Sequence, residues 1–120
     1  MADSIDQKPT KWTKKNSKND PVKDCIAKVT LLRNIEGGNS SSNQIEVRRF
    51  IALANRCTSL AFLKAKIRSL FETHLENGMK VYWRDRAWDF VRIKSDDELA
   101  IAVVEMENET YRHFFVVAEH

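Results

Sequence analysis

The chain has 120 residues, 42% of them hydrophobic, with three Gly, two Pro and a formal net charge of +3. That length suits one domain with a real core, and the composition excludes a fibrous or low-complexity chain. No apolar run approaches the ~20 residues that span a bilayer, and the N-terminus lacks the apolar stretch of a signal peptide. The small net charge conceals a polarity. Residues 1–23 carry six Lys against three Asp, residues 24–68 eight basic against three acidic groups, and residues 69–120 six basic against eleven acidic. Cys25 and Cys57 lack a metal-ligand spacing and read as small buried hydrophobes of a reducing compartment, so a cytoplasmic location is expected.

Residues 1–23 read as a disordered basic tail ahead of a single domain over 24–119. The KWTKKNSK stretch within it is short and diluted by polar residues, which favours a solubilising tail over a nuclear-targeting or nucleic-acid patch. From Cys25 to Arg33, CIAKVTLLR is apolar and β-branched and predicts a strand. NIEGGNSSSNQ follows as a long hairpin loop with a mobile tip, and Ile45 to Ala52 predicts the second strand. Over 59–76, Leu60, Leu63, Ile67, Leu70 and Phe71 recur at helical spacing, with Asn77-Gly78 as a left-handed stop. MKVYWR and FVRI predict two more strands joined by a turn near Arg86 to Trp88. Ser95 and Glu98 form a capping box that opens a second helix, and Asp96 and Asp97 suit its positive N-terminus. Tyr111 to Ala118 is a continuous apolar run and predicts a central, buried strand. The order ββαββαβ implies an α+β fold: a mixed five-stranded sheet with both helices on one face, the ubiquitin-like β-grasp.

Two charged groups stand out. Asp85 and Asp89 flank the turn of the second hairpin, and Asp96, Asp97 and Glu98 open the helix beyond it. Clustered carboxylates repel unless something positive meets them. Turn and cap chemistry alone also explains acids at such positions, so a binding surface and a purely structural role both stay open. The basic group is Lys28, in mid-strand, with Arg48 and Arg49 on the next strand. Strict pleating sends Arg48 and Arg49 to opposite faces, and both reach one surface only at a sheet edge or a bulge. Arg grips carboxylates bidentately, which suits a specific contact; a solvated strand face is the alternative.

EVRRF, the helix, the acidic hairpin and the KSDDELAIAV continuation together resemble the Phox-and-Bem (PB-one) interaction domain. Within that family the chain is most similar to the N-terminal domain of sequestosome-type selective-autophagy adaptors, and the resemblance covers about residues 24–118. The family's acidic motif runs roughly Y-x-D-x-D-G-D-x-V and then S-D-x-E-L. Asp85, Asp89 and Val91 match its first part, and Ser95, Asp96, Glu98 and Leu99 its second. Lys28, Arg48 and Arg49 match its basic signature. The chain departs at the turn, where Ala87 stands for the middle Asp and Trp88 for the Gly. Arg84, Arg86, Arg92 and Lys94 further dilute the local negative field.

The resemblance implies a protein-binding, oligomerising module of a scaffold or adaptor in selective autophagy or kinase signalling. Its partners would be copies of itself, head to tail, or other domains of the family. A one-sided module, whose basic face binds an acidic-faced kinase or scaffold domain without self-association, is the alternative. Nucleic acid is a poor third, because Trp12 is the one aromatic interleaved with the Lys-rich tail. No enzyme, metal site or cofactor is expected: His74, His113 and His120 are scattered, and Gly37-Gly38 precedes no helix.

Overall fold

A computed structural model describes residues 24–53 and 59–119; the expectations for the 1–23 tail and for Cys57 lie outside the described residues. Strands β1 (Asp24–Leu32) and β2 (Gln44–Leu53) form the first hairpin, and α1 (Leu60–Leu70) follows. Strands β3 (Met79–Arg84) and β4 (Phe90–Ile93) form the second hairpin, followed by α2 (Asp96–Glu105) and β5 (Arg112–Ala118). The sheet order is β2-β1-β5-β3-β4. Strand β5 runs parallel to β1 and antiparallel to β3, so the last strand sits at the centre, as its unbroken apolar run implied. Phe114, Phe115 and Val116 are all buried.

Side chains alternate across a strand. Cys25, Ala27, Val29 and Leu31 of β1 therefore share one face with Val81, Trp83, Ile93, Phe114 and Val116. Leu60, Leu63 and Ile67 of α1 and Leu99 and Ala102 of α2 join the same cluster, so both helices cover that face. The opposite face has no helix over it among the described residues and carries Lys28, Thr30, Arg49, Tyr82, Arg92, His113 and Phe115 in register.

Helix α1 is shorter than the 59–76 periodicity suggested. It stops at Leu70, and Phe71 takes φ −127° while its N–H still bonds Ile67 O. The turn beyond it, with His74 N–H and Leu75 N–H both donating to Phe71 O, lets Phe71 and Leu75 enter the core together. Gly78, at φ +106°, turns the chain into β3 rather than capping the helix. The loop between β1 and β2 is closed on buried Asn43, whose Nδ2 donates to Asn34 O at 2.8 Å and Gly38 O at 2.6 Å. Asn34 Oδ1 accepts from Gly37 N–H and Gln44 Nε2 donates to Asn39 Oδ1, both at 2.7 Å, so side-chain bonds span the loop.

Candidate functional site

Lys28 and Arg49 face each other directly across the β1–β2 pair, on the helix-free side of the sheet. Like charges placed opposite each other destabilise a sheet. Here both lie over the ring of Tyr111, with Lys28 Nζ 5.5 Å and Arg49 Cζ 5.2 Å from its centroid. The negative ring face offsets part of the repulsion. Among the described residues no carboxylate pairs with either cation. Beside them, the His113 ring nitrogen Nε2 and Thr30 Oγ1 are hydrogen-bonded at 2.8 Å, and the ring stacks on Phe115. Burial, with the Lys28 charge adding to it, lowers the His113 pKa from 6.5 to about 4. The patch therefore holds two positive charges at neutral pH, not three.

Arg48 pairs in register with Val29 and so emerges on the helix side. Its Nη1 donates to Leu70 O at 3.3 Å and meets Glu46 Oε2 at 3.2 Å. Pleating thus divides the arginine pair as expected. Because β2 is the edge strand, Lys28 and Arg49 form one group and Arg48 flanks it from the other face.

The acidic residues serve the fold as well. Asp85 Oδ1 accepts from Ala87 N–H and Asp89 N–H, both at 3.0 Å, inside the β3–β4 turn. Trp88 N–H donates to Asp85 O, and Trp88 adopts φ +65°. This is a three-residue loop ending in a left-handed residue, a position that ordinarily favours Gly. Asp96 Oδ1 accepts from Leu60 N–H at 2.8 Å, so the first residue of α2 caps the start of α1. Ser95 Oγ accepts from Glu98 N–H, and Glu98 Oε1 accepts from Lys94 N–H, one residue before the N-cap N–H on which a capping box ordinarily closes. Asp89 and Asp97 are exposed and enter no such bond among the described residues. A groove of about 610 Å³ runs from this turn towards Lys28, lined by Asp85, Trp88, Glu105, Glu109 and Tyr111 among others. Strands β2 and β4 lie at opposite edges of the sheet, four strand spacings or about 19 Å apart, while Lys28 on β1 is two spacings from β3 and lines the same groove as Asp85.

Among the described residues no group of His, Cys, Asp and Glu is arranged to hold a metal ion, and no helix is long and apolar enough to cross a membrane. The chain matches no protein-family model and no curated protein. Among solved structures, the solution structure of the PB1 domain of Cdc24p (long form) matches 78% of this chain and 96% of that chain, with a TM-score of 0.52 and 16% identity. The chain has the PB1 fold. A cryo-EM structure of the AtNBR1-PB1 filament (L-type) is also similar, over 78% of this chain and 96% of that chain, with a TM-score of 0.47 and 20% identity.

The Phox-and-Bem resemblance read from EVRRF and the acidic hairpin therefore holds at the level of fold. On the PB1 fold the sequence's departures, Ala87 and Trp88, are the last two residues of the three-residue loop. Sequence reasoning missed Tyr111, and it named Asp96 as an acidic-face candidate without foreseeing its bond to α1. Tyr111 lies just before β5, and only the parallel β1–β5 pairing brings it beneath Lys28 and Arg49. Asp96 was read as a helix-dipole partner of its own helix, and its bond to α1 joins residues 36 apart in the chain.

Proposed function

We propose that this chain is a non-enzymatic protein-interaction module that assembles head to tail. Lys28 and Arg49 of one copy, flanked by Arg48, meet Asp85, Asp89, Asp96, Asp97 and Glu98 of the next copy or of a related domain. One observation carries this reading. Lys28 on β1 and Arg49 on the edge strand β2 stand opposite each other without a carboxylate partner among the described residues. An arrangement that costs stability in the free chain is relieved when a partner supplies negative charge. Because the two groups are formed by different residues on different strands, a contact between the basic group of one copy and the acidic group of the next is heterologous, and it propagates unless rotation closes a ring. Such a module suits a cytoplasmic scaffold or adaptor of the selective-autophagy or kinase-signalling kind, where repeated copies raise avidity.

A one-sided module is the second reading. Asp85, Asp96 and Glu98 already accept backbone hydrogen bonds within the chain, which leaves the acidic side less free than the basic side. Light scattering on an Arg48→Glu/Arg49→Glu variant tests the basic face: a monomer is expected, and assembly equal to the parent's would sink the assignment. Mixing that variant with an Asp85→Lys/Asp89→Lys variant separates the two readings. A one-to-one complex requires both faces, whereas no re-pairing leaves the one-sided module.

A further inference from the structure

We propose that the contact between copies centres on an apolar anchor, with Trp88 of one copy seated on the Ile26–Ile51 pair of a second copy of this chain. The proposal rests on the head-to-tail reading and names the part of that contact that holds it together.

The large hydrophobic side chains exposed among the described residues fall into two groups. Ile26, Ile45, Val47 and Ile51 belong to β1 and β2; Trp88, Ile101 and Val104 belong to the β3–β4 turn and α2. Each group surrounds one of the two charged groups. Ile26 and Ile51 are direct cross-strand partners on the helix-free face, next to Lys28 and Arg49, and Ile51 is 68% exposed. On the other edge Trp88 is 73% exposed, the most of any of these residues. Asp97, Ile101 and Val104 recur at i, i+4 and i+7, so an acid and two apolar side chains share one exposed stripe of α2. Glu105, one turn after Ile101, meets Arg86 of the turn at 3.8 Å and ties the stripe to the loop that bears Trp88.

Trp88 is also held in place. Its left-handed φ of +65° is an uncommon conformation for a bulky residue and points to a selected position. Arg84 Nε donates to Trp88 O at 3.1 Å while its guanidinium lies 5.2 Å from the ring centroid. A pre-oriented aromatic loses little conformational freedom on binding, which is the property of an interface anchor. Both halves of the contact occur on the same chain: Asp85, Asp89 and Asp97 lie on the Trp88 side, diluted by Arg84 and Arg86, and Lys28 and Arg49 lie beside the Ile26–Ile51 pair, which argues for a second copy as the occupant. Two basic patches repel, so the same charges disfavour a symmetric pairing.

Magnitudes decide which part dominates. A solvent-exposed ion pair changes affinity by at most about fivefold, whereas truncating a central aromatic anchor changes it by about thirtyfold or more. The charges then set orientation and encounter rate, and the anchor sets lifetime.

Sedimentation velocity on the full chain tests this with Trp88→Gly, Ile51→Ser and Arg49→Glu at low and high salt. Trp88→Gly removes the anchor and relieves the left-handed backbone at once, so its melting temperature stays close to the parent's. Parent assembly is expected to weaken with salt yet persist. Trp88→Gly and Ile51→Ser each weaken it about thirtyfold at both salts, and an equimolar mixture of the two forms a one-to-one complex through the intact Trp88 and the intact Ile51. A Trp88→Gly chain that assembles like the parent overturns the anchor; if Arg49→Glu abolishes assembly in the same series, the charge-paired reading stands without it. A parent that stays monomeric throughout removes both.

Discussion

Asp85 shows how much of a turn one side chain can hold. A single carboxylate oxygen satisfies two N–H groups of the β3–β4 turn. An Asp85→Ala change is expected to cost about 1 kcal/mol, a typical net hydrogen-bond contribution at an exposed turn, read as a lower urea midpoint at constant slope. Asp85→Asn keeps an acceptor oxygen and removes the charge, so it retains stability while weakening assembly. His113 makes a second prediction at this scale. The folded chain keeps it neutral down to about pH 4, whereas an unfolded chain takes up the proton near 6.5. Between those values the unfolded state binds more protons. His113 therefore leaves stability undiminished above about pH 6.5, and stability declines as pH falls from there towards about 4. Urea midpoints measured across that window check the slope, and His113→Phe flattens it.

At the scale of elements, the two helices are joined by Asp96, whose carboxylate bonds the first N–H of α1. Ser59 Oγ also accepts from Phe62 N–H, so the α1 start has two caps from different parts of the chain. Asp96→Ala is expected to cost about 1 kcal/mol, as loss of a cap does. Asp96→Asn keeps the bond and leaves thermal stability near the parent's. If Asp96→Asn also weakens assembly, the charge acts across the interface as well as within the fold. The elements themselves were largely legible, because alternation in MKVYWR, the capping box at Ser95 and the apolar run into Ala118 each fit one geometry. The end of α1 was not. Phe71 and Leu75 keep a helix-like spacing while a turn delivers them to the core, and spacing cannot tell those routes apart. The split of Arg48 from Arg49 followed from pleating alone. Tyr111 beneath the cations and Asp96 on α1 did not follow, since both contacts depend on tertiary pairing between distant segments.

For the whole molecule, the sheet order sends β2 and β4 to opposite edges. An edge strand exposes unpaired backbone groups, and cations such as Arg48 and Arg49 on β2 and Arg92 on β4 guard against indiscriminate pairing. The charged side chains along both edges thus disfavour edge-to-edge pairing of the free chain.

The central position of β5 has a consequence for how the chain comes to be folded. Each hairpin is local, but β1 and β3 meet only through the segment between Arg112 and Ala118. Until that segment leaves the ribosome, the inner sides of both hairpins stay unsatisfied, and the parallel pairing closes a loop that spans most of the domain. Long-range closure of this kind is slow. The nascent chain therefore displays its charged and apolar patches before it has a sheet to hold them, and Lys28 meets His113 and Tyr111 only when the last strand arrives.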